Sequence, residues 1–170
     1  MSSNNFSTER SENRPNKIFI VLFVAISFFG FLDATYLTVK FFTGGPIPCS
    51  LLDGCDVVTK SAYATLGGIP VALLGALYYI GLFLLSLIIL ETKNQKLLTF
   101  LSLIPAIGFI FSIRLVYLQA FVLDAYCLYC IISAGISTIL FALGIILYAR
   151  QKKATLTYYG THIRKETSTE

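Results

Sequence analysis

Four stretches of this chain are long and apolar enough to cross a lipid bilayer, and no soluble fold accommodates them. They cover about residues 18–39, 70–90, 97–118 and 127–148. A spanning helix needs roughly 20 mostly apolar residues. Each stretch is a continuous apolar run, such as IFIVLFVAISFFGFL in the first and LGIILY in the fourth. A membrane β-barrel instead needs alternating segments of about ten residues. Composition agrees, with 56% hydrophobic and 13% charged residues, where a soluble domain carries about 25% charged. A fold of 170 residues cannot bury so much apolar surface, because small folds hide only part of what they carry. The expected fold class is all-α, a polytopic membrane four-helix bundle with a long extracytoplasmic loop between the first two spans. The first span is too long for a signal peptide, and no small-residue cleavage site follows it.

The organisation is one membrane domain, residues 17–150, between a polar tail at 1–16 and another at 151–170. Both tails are polar enough to read as disordered and cytoplasmic. No internal repeat is visible. The turns at 91–96 and 119–126 are short, whereas the connection at 43–68 is not. Structureless loops beyond about 12–15 residues are usually functional or disordered. This one holds Gly44, Gly45, Pro46, Pro48 and two cysteines, then a possible short helix near 57–66.

The net charge of +4 invites a nucleic-acid reading until the cations are located. Arg10, Arg14 and Lys17 precede the first span, Lys93 and Lys96 follow the second, and Arg150, Lys152, Lys153, Arg164 and Lys165 follow the fourth. An even number of spans puts all three groups on one side, which the positive-inside rule makes the cytoplasm. The other side has only Lys60 free in a loop, with Lys40 and Arg114 near span ends. The charge is therefore a topology signal. It implies contact with membrane lipid and no nucleic-acid partner, and the expected location is a cell inner membrane with both termini cytoplasmic.

That topology gathers every cysteine on the extracytoplasmic side, where disulfides persist. Cys49 and Cys55 lie in the long loop, as C-S-L-L-D-G-C; Cys127 and Cys130 open the fourth span, as C-L-Y-C. The second spacing puts two sulfurs on adjacent turns of a helix start, close enough to bond. A helix N-terminus also lowers a thiol pKa, which favours exchange over an inert staple. A mobile loop pair can shuttle electrons from a soluble partner to a buried pair. Other readings are buried packing thiols, a four-thiolate zinc site and two static disulfides. Against zinc, C-x5-C is loose for half of a tetrahedral site, and no metal is expected.

The arrangement resembles the vitamin K epoxide reductase family in its bacterial form, from about residue 30 to 145. The matching pieces are Y-L-T-V-K at 36–40, Cys49 and Cys55, Ser61 six residues beyond, G-I-P-V-A-L-L-G at 68–75, and Y-L-Q-A-F-V-L-D-A-Y-C-L-Y-C at 117–130. The DsbB type of disulfide oxidase also has four spans and two cysteine pairs, but there the C-x2-C comes first in the chain. The resemblance implies a bundle around a quinone, of the ubiquinone or the menaquinone/phylloquinone type, capped by the long loop. It also implies a relay. Cys49 takes reducing equivalents from a thioredoxin-fold (DsbA-like) protein, Cys55 exchanges with Cys127, and Cys130, with a low pKa, passes electrons to the quinone pool. Ser61 matches a polar position near the family's active site, where it would orient a thiol or the loop; read without the family it is a solvated loop serine. Many bacterial relatives carry a fused thioredoxin-like domain, whereas here about 20 polar residues follow the fourth span, so the partner is expected to be a separate protein. The animal enzymes have an Asn near the second-span start and a Tyr four residues after the last cysteine. Here those regions read Ile69-Pro70-Val71 and Ala134, which favours plain quinone reduction over epoxide reduction.

Two charges fall inside spans, Asp33 and Arg114, and intramembrane charges are functional candidates by default. They could pair, or Arg114 could stabilise a quinolate or thiolate; snorkelling to the interface is the simpler role for Arg114. His162, in the C-terminal tail, has no other histidine to work with. Gly30, Gly75, Gly81, Gly108 and Gly135 are expected to permit close helix packing. The reading is a quinone-dependent thiol oxidoreductase that generates disulfides. Against it stand a metal-binding membrane protein with a four-cysteine site and a non-catalytic tetraspan scaffold with static disulfides.

Overall fold

A computed structural model describes residues 5–45, 54–92 and 94–166, with side chains described for residues 17–45, 54–92, 94 and 96–153. Cys49, Pro46, Pro48 and Lys93 lie outside the described residues. So do the side chains of Arg10, Arg14, His162, Arg164 and Lys165.

Among the described residues are four long helices: α1 (Asn5–Thr43), α3 (Val71–Thr92), α4 (Gln95–Phe121) and α5 (Leu128–Glu166), with a short α2 (Cys55–Lys60) between the first two. Their apolar parts, Lys17–Thr43, Val71–Thr92, Lys96–Phe121 and Leu128–Lys153, are long enough to span a membrane. The chain is a multi-pass helical membrane protein. Hydropathy sums along the sequence, so the spans fall within a few residues of where the apolar windows put them. The helices themselves run further, α1 starting at Asn5 and α5 ending at Glu166.

The connection after α1 has more structure than a bare loop. The helix expected near 57–66 begins earlier and is shorter, because Ser61 ends it: the Ser61 hydroxyl donates to the Val58 carbonyl at 2.7 Å. A single 3₁₀ turn follows at Ala62–Ala64. Next comes a small antiparallel hairpin, β1 (Thr65–Leu66) against β2 (Ile69–Pro70), with Thr65 opposite Pro70. Gly67 and Gly68 turn it with φ of 62° and 86°, backbone angles that glycine adopts without steric cost. Lys60 is not free, since its ammonium lies 3.4 Å from the Asp56 carboxylate one turn back.

In the bundle α1 packs chiefly on α3 and α4 on α5, α1 also touches α5, and the seam between α3 and α4 is the loosest. The main core holds Phe23, Leu82, Leu101, Leu140 and Leu147. Glycine sets the close approaches. A methyl at Gly30 would sit 2.7 Å from the Tyr79 ring, and one at Gly144 would sit 2.6 Å from the Ser102 carbonyl oxygen. Gly108 is a close contact as expected. Gly81 and Gly135 face open space instead, and Gly75 makes only ordinary contact, so those three do not serve the packing role expected of them.

Candidate functional site

At the end of the bundle where α1 finishes and α5 starts, a second small core forms around Leu37, Cys55 and Cys127, with Tyr36, Val58, Ala72, Leu128, Tyr129 and Cys130 packed on it. Cysteines far apart in the sequence thus meet. Cys55 opens α2, is buried and is disulfide-bonded. Cys127 and Cys130 are free thiols, the first buried and the second half-buried, so neither is the partner of Cys55.

The C-L-Y-C segment is a helix start built around sulfur. Cys127 stands just before α5, and its carbonyl accepts from the Ile131 amide at 3.0 Å. Its Sγ accepts from the Cys130 backbone N–H at 3.4 Å. That is the geometry of an N-cap side chain bonded to the third helical residue, with sulfur as acceptor. The hydrogen bond from the Cys130 side chain, helped by the Cys130 and Tyr129 amides, pulls the Cys127 thiol below the usual thiol range. It does so against burial and the Asp33 carboxylate, which both push it up. The sequence reading puts the low-pKa thiol at Cys130, whereas the capping hydrogen bond of this turn falls on Cys127 Sγ.

Two residues that the sequence did not single out hold the pieces together. Gly54 precedes Cys55, and a Cβ there would lie 2.6 Å from the Tyr126 nitrogen and 2.9 Å from its oxygen. Only glycine lets the start of α2 lie directly on the backbone before Cys127. Gln119 is buried near the end of α4. Its side-chain oxygen accepts from the Cys127 amide at 3.0 Å, and its carbonyl accepts from the Ala125 amide at 3.2 Å. Gln119, read from sequence as the first residue of a turn, is therefore a helical residue that clamps the turn. The Tyr36 and Tyr129 rings, 5.0 Å apart between centroids, tie α1 to the C-L-Y-C segment. The Asp-Gly-Cys step at 53–55 was the available signal for Gly54; nothing local marks Gln119.

Beside the thiols lies a cavity of about 400 Å³ bounded by the end of α1, α2, the hairpin, α3, α4 and α5. That is within the range of small-molecule sites. Cys130, Ser61 and Arg114 all line it, and Cys55 and Cys127 do not. The structure thus brings Cys130, Ser61 and Arg114 to one cavity and puts Cys127 and Cys55 behind it. The Ser61 hydroxyl caps α2 and so orders the loop. Arg114 is exposed on α4. No ion pair joins it to Asp33 among the described residues, and one Asp33 carboxylate oxygen is buried without a hydrogen-bond partner. Among the described residues no group of three or more His, Cys, Asp or Glu side chains could hold a metal ion.

The sequence profile of the Vitamin K epoxide reductase family matches residues 21–145, and the chain belongs to that family. Membership carries a membrane, quinone-linked oxidoreductase chemistry acting on thiols. No curated protein matched the chain.

Proposed function

We propose that this protein oxidises the dithiol of a separate thioredoxin-fold protein and delivers the electrons to a membrane quinone, through two cysteine pairs in series. The observation that carries the reading is the division of labour among the thiols. Among the described cysteines Cys130 alone reaches the cavity, and Cys127 packs behind it in one small core with Cys55. Cys49 and Cys55 form the outer pair and take electrons by mixed-disulfide exchange at Cys49. Cys55 attacks Cys127 of an oxidised inner pair, and Cys49 then closes on Cys55, leaving Cys127 and Cys130 as thiols. A quinone, when bound, accepts two electrons and two protons, which matches what two thiols release on forming one disulfide. The residues fit such a group: the cavity wall is mostly apolar, with a few hydroxyls among the carbon.

Exchange runs through a thiolate, at a rate set by its fraction and access. Cys127, whose Sγ accepts from the Cys130 amide, is the inner sulfur that Cys55 attacks and the thiolate released when Cys49 closes on Cys55. The loose α3–α4 seam lies along the cavity and is the lateral path from the bilayer. Arg114 at that seam faces the incoming headgroup. By the positive-inside rule the site faces outward across a cell inner membrane, with both termini cytoplasmic. Ubiquinone and the naphthoquinones, menaquinone or phylloquinone, share the ring carbonyls that this chemistry uses.

The test is quinone reduction by the purified full chain with a reduced thioredoxin-fold donor, followed by absorbance. Activity in wild type and its loss in Cys130→Ala support the reading. Full activity in Cys130→Ala, or none in wild type, overturns it. Replacing Cys55 with Ser traps the partner on Cys49, and recovery of such a mixed disulfide identifies the donor.

A further inference from the structure

Burying a hydroxyl without a hydrogen bond is unfavourable, so native folds rarely leave one unpaired. Two such hydroxyls lie together in the wall of this cavity, those of Tyr78 on α3 and Ser137 on α5. Ser137 is 1% exposed. Both oxygens converge on Gly108 of α4: a methyl there would collide with the Tyr78 hydroxyl and sit 2.9 Å from Ser137 Oγ. The two hydroxyls are close enough for a weak hydrogen bond to each other, but neither oxygen makes one of good geometry to any described group. Their neighbours behave differently. The Tyr79 hydroxyl donates to the Ser133 carbonyl at 2.8 Å and lies 3.0 Å from its Oγ. One tyrosine–serine pair between α3 and α5 is closed on itself, and the adjacent pair is open.

The open pair stands in register with the reactive sulfur. Ser137 is seven residues beyond Cys130 on α5. Seven residues advance about 10 Å and return to within about 20° of the same helix face. Between them Ala134, small and also in the wall, leaves the space free. We infer that Tyr78 and Ser137 form a carbonyl-binding subsite at the deep end of the cavity, donating hydrogen bonds to the quinone oxygen furthest from Cys130. This rests on the reading of the cavity as a quinone site. The subsite fixes the ring lengthwise, so that its other end lies toward the sulfur. Gly108 is what makes room for both hydroxyls.

The test uses the full chain in detergent, with decylubiquinone as the probe, in wild type, Tyr78→Phe and Ser137→Ala. Two readouts are needed besides turnover: calorimetric binding, and the infrared carbonyl stretch of quinone labelled at one carbonyl or the other. In wild type one carbonyl band lies below that of the quinone in empty detergent. In each variant that band returns toward the free position and Kd rises about 3- to 10-fold, the effect of one hydrogen bond. Without quinone the variants melt at or above the wild-type temperature, since each loses an unpaired buried group. Unchanged Kd and an unchanged carbonyl band in both variants, with wild type active, overturn the subsite alone. A wild type that neither binds nor reduces the quinone overturns the quinone reading and the subsite with it.

Discussion

Buried polar groups close on one another at one end of the bundle and are left partly open at the other. At the end near the chain termini, Thr99, Ser102 and Gln151 close on one another. The Thr99 hydroxyl donates to Gln151 Oε1 at 3.0 Å, Gln151 Nε2 donates to Ser102 Oγ at 3.3 Å, and Ser102 donates to the Leu98 carbonyl at 2.8 Å. In the thiol half, buried oxygens of Asp33, Thr35, Tyr78 and Ser137 have no hydrogen-bond partner among the described residues, and Ser27, just past the middle of α1, has none either. A closed network contributes stability and specifies how helices pack. An open set costs stability and is retained where a ligand or a reaction completes it. The comparison separates the half that holds the molecule together from the half that works.

Substitutions can break this comparison. The largest effect is expected from Cys130→Ala, which removes the one sulfur that the described residues bring to the cavity wall. Quinone reduction should fall at least about 100-fold, on the scale of losing an essential group, with melting temperature nearly unchanged. Gly54→Ala should come next. Its methyl would push α2 off the backbone at Tyr126 and separate Cys55 from Cys127. A displacement of about 1 Å in a reacting pair can cost on the order of 100-fold. Partner-driven turnover should drop 10- to 100-fold on that scale, while turnover driven by a small dithiol that reaches the inner pair directly should fall much less. Equal losses with both donors would show that Gly54 supports the fold and does not align the pairs.

At the opposite end Gln151→Ala should do the reverse. It removes the Gln151 hydrogen bonds to the Thr99 and Ser102 hydroxyls, a loss of about 1–3 kcal/mol readable by thermal unfolding in detergent. Turnover per folded molecule should stay at the wild-type value, and a fall in turnover would end the division between the two halves. The smallest effect concerns the thiol titration, read by thiolate ultraviolet absorbance. Wild-type Cys127 should titrate below the ordinary thiol range, because the Cys130 hydrogen bond stabilises its anion. Cys130→Ala removes that donor and should move the titration up. Asp33→Asn removes a carboxylate that disfavours the anion and should move it down, giving more thiolate at a given pH.

The spans were legible because apolar length is additive along the chain: residues 97–118 read as a span and Lys96–Phe121 is one. The meeting of Cys55 and Cys127 was legible for a different reason, since an even number of spans sends both to the same end. Gln119 was not legible, because its partner amide is eight residues away across a turn whose path depends on Asp124 with φ of 45°. Nor were Tyr78 and Ser137, which in sequence are an ordinary aromatic and an ordinary small polar residue in apolar runs. What distinguishes them is the absence of a partner, and that exists only once three helices are packed.

The contact at Gly54 has an evolutionary consequence. The atoms it meets are main-chain atoms of Ala125 and Tyr126, which every residue type supplies alike. The contact therefore restricts variation on one partner only. In a saturation library selected for partner-driven turnover, position 54 should accept almost nothing, while positions 125 and 126 should drift widely. A junction between two segments of chain can in this way be permanent on one side and anonymous on the other.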